Sequence, residues 1–178
     1  MRIISGKYKG KRILAPRELP VRPTTDMAKE ALFNILNNSY YFEDLKVLDL
    51  FSGTGNIAYE FASRGCGEIY SVDQDYRCIK FIAKTSKDLD LNLKTIKSDV
   101  FKLLKKTKVK FDIIFADPPY RFELQDFAKI PELVFSRDLL LPEGSLIIEH
   151  SKHTELSGLE HFTNSRKYGG SVFSFFGS

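Results

Sequence analysis

The 178-residue chain contains no tryptophan and only two cysteines. Fifteen phenylalanines and eight tyrosines supply the aromatic bulk instead, and at 43% hydrophobic content the chain can bury a sizeable core. Cys66 and Cys78 make no metal-ligand pattern, and buried reduced thiols are expected rather than a disulfide. His150, His153 and His161 stand without a cysteine or carboxylate framework, so no metal is expected. No apolar run approaches the roughly 18 residues of a membrane span. The opening MRIISGKYKGKR lacks the apolar stretch of a secretion signal, and a soluble cytoplasmic protein is expected. Gly-x-Ser-x-Gly is missing, so Ser52 is not a nucleophile of the hydrolase-elbow kind.

Charge is present but unevenly spread. Residues 1–24 carry seven cations (Arg2, Lys7, Lys9, Lys11, Arg12, Arg17, Arg22) against Glu18 alone, a balance of +6. The net charge is +4, so the other residues sum to −2. A basic extension on a near-neutral body suggests a polyanionic partner, with a solubilising surface as the alternative. Lys7, Lys9, Lys11 and Arg12, interleaved with Tyr8, have the composition for phosphate contacts plus stacking and are the candidate RNA-binding residues. Lys102, Lys105, Lys106, Lys108 and Lys110 read instead as the exposed face of a helix and loop.

Residues 1–15 alternate loosely around a glycine break and predict a small two-stranded element. Helical spacing over 23–37 predicts a helix capped by Thr24 or Thr25, with Lys29 or Glu30 as a loose capping-box partner. Strands are then expected at 46–51, 68–73, 94–97, 111–117 and 144–150, with helices between them. This rhythm indicates a parallel sheet covered on both faces. The segment 161–177 predicts an antiparallel hairpin around Gly169–Gly170 at one sheet edge. One domain over 1–178 is expected, with the extension at 1–24 and the core at 25–178.

The turn Asp49-Leu-Phe51-Ser-Gly53-Thr-Gly55 joins a strand to a helix, where glycines let the backbone approach a ligand. Gly53-x-Gly55-x-x-Ala58 also meets a relaxed dinucleotide fingerprint, with Asp73 at about the 20-residue spacing for a ribose carboxylate. The loop by itself therefore leaves open NAD, another adenosine cofactor, or a bare tight turn. Asp49 inside the strand favours S-adenosylmethionine. A buried carboxylate needs a partner, which an α-ammonium or the loop N–H groups would supply, while a pyrophosphate would be repelled.

Two strands later, FDIIFADPPY ends an apolar strand in Asp117-Pro118-Pro119-Tyr120. The prolines stiffen the backbone and remove two donors, leaving the Asp117 carboxylate and the Pro118 carbonyl as acceptors. Two acceptors beside an aromatic ring suit a planar base amino group, with the ring stacking and the acceptors taking its two N–H bonds. Proximity and alignment would carry the rate, with no strong base needed before attack. A rigid strand-end turn is the alternative for DPPY alone.

DLFSGTG, the acid in SVDQD, the acid in KSDVF and DPPY together resemble the Rossmann-like class I methyltransferases that modify exocyclic amines of adenine or guanine. More narrowly, RIISGKYKGKRILAP, RPTTDMAKEALFNIL and the closing KYGGSVFSFF are similar to the RsmD family, which methylates guanine N2 in 16S ribosomal RNA. The resemblance runs from Arg2 to Phe176, apart from 121–142, where no motif matches. It implies a mostly parallel seven-stranded sheet with an antiparallel C-terminal hairpin and helices on both faces. It implies S-adenosylmethionine as cofactor, held by Gly53 and Gly55 at the methionine part, Asp49 at the amino end, Asp73 at the ribose, and Asp99 with Val100 at the adenine, with Phe51 among the cofactor-binding residues. Arg22, Thr24 and Thr25 would border cofactor and base, and Asp117, Pro118, Pro119 and Tyr120 would form the amine pocket. Where relatives carry Asn at position 99, this chain has Asp, which also accepts from the adenine amine. Ribosomal RNA or a small-subunit assembly intermediate is the implied partner, and a monomer the implied state. An adenine-N6 methyltransferase, a non-catalytic RNA-binding module and an NAD oxidoreductase are the competing readings.

Overall fold

In the computed structural model, which describes residues 1–178, a seven-stranded sheet runs in the order β3-β2-β1-β4-β5-β7-β6. Its members are β1 Lys46–Leu50, β2 Glu68–Asp73, β3 Leu93–Lys97, β4 Phe111–Ala116, β5 Leu140–Ser151, β6 Phe162–Tyr168 and β7 Ser171–Phe176. The first five pair in parallel, and β7 lies antiparallel to both β5 and β6. The helices are α1 Asp26–Asn37, α2 Asn56–Ser63, α3 Tyr76–Asp88, α4 Val100–Lys106 and α5 Leu124–Ser136. None is long and apolar enough to cross a membrane.

Strand alternation divides the core. Val47, Ile113, Phe115 and Ile147 pack with α1 and α2 on one face, against Phe33 and Phe61. Leu48, Leu50, Ile114 and Ile148 pack on the other, against Leu104, Ile130 and Val134 of α4 and α5. Strands buried on both faces read as continuous apolar runs, which is why β1 and β4 stand out in the sequence. The chain winds outward in opposite directions from β1 and β4. That switch point opens a crevice at the carboxyl ends of the strands.

Three expectations change in detail. β5 begins at Leu140, earlier than predicted, because Leu140 pairs with Phe111 before an irregularity that Glu143 helps form at φ 64°. The segment 1–15 makes one antiparallel bridge, Arg2 to Arg12, instead of two strands. Its polar groups go to α2: the Ile4 and Ser5 amides donate to the Glu60 carboxylate at 2.9 and 3.0 Å, and Lys7 N–H donates to the Ser63 carbonyl at 2.7 Å. Thr25 caps α1 by accepting from Ala28 N–H at 3.2 Å, with no capping box. Lys29 turns inward, 1% exposed, and gives its three protons to Arg2 O (2.6 Å), Asn56 Oδ1 (2.8 Å) and Glu60 (3.4 Å). Cys66 and Cys78 are both free thiols.

Candidate active site

A cleft of about 750 Å³ opens at the switch point. From the residues singled out in the sequence it collects Asp49, Phe51 and Gly53 at the end of β1, and Asp73 at the end of β2. Asp99 and Val100 at the start of α4 join them, as do Asp117–Tyr120 after β4 and Arg22, Thr24 and Thr25 before α1. Gly55 does not line it. At φ 85° it sits against Tyr59, whose Cζ would lie 2.7 Å from an added Cβ, so the glycine is required for packing behind the loop. Lys7 and Lys9 also lie elsewhere, at the Ser63 end of α2, with Lys11 and Arg12 on the return limb of the same segment. At about 1.5 Å per helical residue, α2 separates that end from the cleft by roughly 12 Å.

The loop after β1 is held by its neighbours. Ser52 Oγ donates to Asp49 O at 2.7 Å and accepts from Val72 N–H at 2.9 Å, tying the turn to β2. Phe51 sits at φ 56°, a left-handed conformation rare for a bulky residue. Asp73 organises the loop from the side: its Oδ2 accepts Gly53 N–H at 2.9 Å and its Oδ1 accepts Asp75 N–H at 2.8 Å. Burial raises the Asp73 carboxyl, and those two amides oppose the rise. Asp99 caps α4, its Oδ1 accepting Lys102 N–H at 2.9 Å, which leaves Oδ2 for a ligand.

Three carboxylates converge on the α1/α2 face of the sheet. Asp49 is opposite Phe115, two positions before Asp117, and Glu149 follows Ile148, the partner of Ala116. Asp49 is 2% exposed, and its Oδ2 has no hydrogen-bond partner. Burial pushes its carboxyl up to about 8. Asp117 is raised well above the usual carboxylate range by burial, then by the charges of Glu149 and Asp49. Burial also raises Glu149, against the Thr24 hydroxyl, which donates to its Oε2 at 2.6 Å. No cation pairs with any of these three carboxylates, and one oxygen of Asp49 is left without a donor. A cationic or N–H-rich ligand is what it would bind best.

Aromatic rings shape the rest. Phe122 stands edge-on to Phe51 (5.5 Å between centroids) and parallel to Phe101 (6.0 Å, 13°). Tyr120 is 75% exposed, with the Arg22 guanidinium 5.8 Å from its ring centre. Arg121, Lys152 and His153 also line the cleft. The sequence reading missed Glu149, although a lone acid ending the apolar run Leu146–Ile148 carries the same signal as Asp49. Nothing in the sequence marks Phe122.

The family model described as "Conserved hypothetical protein 95" matches residues 1–177. The Bacillus subtilis protein YlbH is 34% identical over 161 residues, covering 88% of this chain and 85% of its own. "Ribosomal RNA small subunit methyltransferase D" of Buchnera aphidicola subsp. Acyrthosiphon pisum is 30% identical over 167 residues, covering 93% and 85%. The chain belongs to the RsmD family. The structure of Thermus thermophilus 16S rRNA N2 G1207 methyltransferase (RsmC), in complex with AdoMet and guanosine, superposes with a TM-score of 0.69 at 22% identity. It covers 89% of this chain and 44% of that one. The family and this neighbour agree with the expected fold, a Rossmann-like methyltransferase sheet whose last strands are antiparallel. In this RsmD-family member the glycine turn, the Asp73 carboxylate and the DPPY strand end meet in one cleft.

Proposed function

We propose that this chain transfers a methyl group from S-adenosylmethionine to the exocyclic N2 amine of a guanine in small-subunit ribosomal RNA. The observation that carries the reading is the meeting, in one cleft, of Asp49, one carboxylate oxygen of which has no partner, with the Asp117–Tyr120 strand end. Family membership supports the class of reaction, and the names of the relatives support the RNA.

The residues fit S-adenosylmethionine. Asp49 offers a buried acceptor for its α-ammonium, Gly53 and Phe51 the turn beside the methionine part, Asp73 a carboxylate for the ribose, and Asp99 with Val100 the adenine edge. Gly55 supports that turn from behind. A dinucleotide pyrophosphate would instead meet three carboxylates. When bound, the cofactor supplies an electrophilic methyl group on a sulfonium.

Asp117 and the Pro118 carbonyl accept the two N–H bonds of the guanine amine and aim its lone pair. Pro119 stiffens the turn, whose carbonyl accepts Phe122 N–H at 3.0 Å. Tyr120 offers an exposed ring for stacking on a base drawn out of its helix. The amine sheds one proton after transfer. Asp117, whose burial raises its proton affinity, is the nearest base for it. Arg22, Thr24 and Thr25 border both ligands.

Lys7, Lys9, Lys11 and Arg12 hold RNA phosphates away from the cleft, gripping the strand that flanks the target. The working form is a cytoplasmic monomer acting on ribosomal RNA or a small-subunit assembly intermediate. Replacing the four cations by alanine should weaken RNA binding and make its salt dependence shallower, by about 0.7 in log–log slope for each phosphate no longer neutralised. An unchanged slope would remove the extension from the interface.

The deciding experiment incubates the protein and labelled cofactor with small-subunit particles, and with naked 16S RNA, from cells lacking the gene. Mass mapping should find N2-methylguanosine at one position. N6-methyladenosine, or no label in either substrate, overturns the reading.

A further inference from the structure

One buried acid of the cleft has no part in the chemistry above. Glu149 is 6% exposed and stands beside Asp117 across the β4–β5 ladder. Thr24 Oγ1 donates to its Oε2 at 2.6 Å, and the Ser171 hydroxyl is a second donor next to it. Thr24 is itself fixed, since Asn56 Nδ2 donates to its carbonyl at 3.1 Å. A carboxylate offers about four lone-pair sites, so two hydroxyls leave about half of them open. An acid kept in this state beside a second acid is costly for the fold unless a ligand completes it.

The two bases that carry an exocyclic amine on a purine differ at the adjacent ring nitrogen. Guanine presents N1–H beside its N2 amine, two donors in a row. Adenine presents an N1 lone pair beside its N6 amine. A fixed carboxylate accepts from the first arrangement and repels the second, and beside carboxylates that no cation pairs with the repulsion is strong.

We propose that Glu149, oriented by Thr24, is the specificity-determining residue of the amine pocket, accepting guanine N1–H while Asp117 and Pro118 hold the N2 amine. This rests on the guanine-N2 reading and deepens it. It gives the two threonines of RPTTD separate tasks: Thr25 starts α1, and Thr24 reaches across to β5.

Free nucleosides test it as competitive inhibitors of methyl transfer to small-subunit particles. Guanosine and 2-aminopurine riboside both carry the N2 amine, but only guanosine carries N1–H. The wild-type protein should be inhibited about tenfold better by guanosine. In Glu149→Gln that gap should close to about twofold, because the amide can donate to an N1 lone pair as well as accept. Thr24→Val should narrow it partway, and Glu149→Asp should keep part of it. S-adenosylmethionine affinity and melting temperature, measured on each variant, separate this from misfolding, and if Glu149→Gln does not fold, Thr24→Val and Glu149→Asp decide. Equal inhibition of the wild type by the two nucleosides, or an unchanged gap in the variants, overturns the proposal. A wild type that methylates no guanine N2 sinks the functional reading itself. A guanine-methylating wild type with an unmoved gap sinks only the role of Glu149.

Discussion

Two clusters of buried charge lie beside α2, and they are built on opposite rules. Near the N-terminal extension, Glu60 is fully buried, yet both its oxygens are engaged. Arg64 Nε donates at 3.0 Å, the Ile4 and Ser5 amides at 2.9 and 3.0 Å, and Lys29 lies 3.4 Å away. Arg64 also lies over the Phe33 ring at 4.6 Å. At the cleft, Asp49, Asp117 and Glu149 crowd together with no cation among them, and one oxygen of Asp49 has no partner. A protein folding for stability alone would build the first cluster and avoid the second. The difference separates scaffold from site without reference to any motif.

The sharpest way to break that comparison is to neutralise one member of each cluster. Asp117→Asn should lower methyl transfer by about 100-fold or more. S-adenosylmethionine affinity should stay nearly unchanged and the melting temperature should hold or rise, because like-charge crowding is relieved. Initial rates and thermal melts check both halves, and a variant that loses stability along with activity would make Asp117 a structural acid. Glu60→Ala should do the reverse. It strands Lys29 and Arg64 with their desolvation uncompensated, a loss of about 3–5 kcal/mol in urea unfolding. Glu60 reaches the cleft only through Lys29 and Asn56, so rates measured on the folded fraction should fall far less than in Asp117→Asn.

The cleft cluster also sets a pH dependence. Asp49 titrates near 8 when folded and near 3.8 as an ordinary aspartate. Between those values the folded chain holds a proton that the unfolded chain has released. Stability from this group is therefore complete below about pH 4 and declines as pH rises towards 8, at up to about 1.4 kcal/mol per unit. Asp73, Asp117 and Glu149 are raised as well and add in the same direction. Urea titrations at pH 5 and 7.5 should show the ligand-free protein weaker at the higher pH, and Asp49→Asn should flatten the trend. A stability that increases over this range would mean that Asp49 has a partner when folded.

How far each cluster could be read from the sequence follows from how local its parts are. The glycine turn, Asp73 and DPPY each lie within a few residues at a strand end, and periodicity places strand ends well, so that half of the cleft was legible. Glu149 was not, because its meaning depends on lying beside Asp117, a pairing that only the strand order creates. Lys29 reads as a loose capping-box partner until Glu60, 31 positions later, is seen to take it inside. The extension reads as a loose basic hairpin, since nothing in its own composition reveals that Ser63 and Glu60 satisfy its backbone. Gly55 shows a motif with a second reason that the sequence does not reveal: an added Cβ there would meet the Tyr59 ring.

The docking of the extension supports the smallest effect. Tyr8 sits at its tip, where its hydroxyl donates to the Leu89 carbonyl at the end of α3 and its amide donates to Ser63 Oγ at 3.0 Å. Its ring packs beside the apolar cluster of Ile3, Ile13, Tyr59 and Ile82. Tyr8→Phe keeps the ring and the amide contact and removes one neutral hydrogen bond. The expected cost is about 1 kcal/mol, against several for Glu60→Ala. If the tip is held mainly by the Glu60 and Ser63 contacts, Tyr8→Phe should leave cleavage by trypsin at Lys7, Lys9 and Lys11 nearly as slow as in the wild type, whereas Glu60→Ala should expose all three. Fast cleavage in Tyr8→Phe with slow cleavage in Glu60→Ala would mean that the tyrosine hydroxyl, and not the buried acid, holds the basic extension against the body.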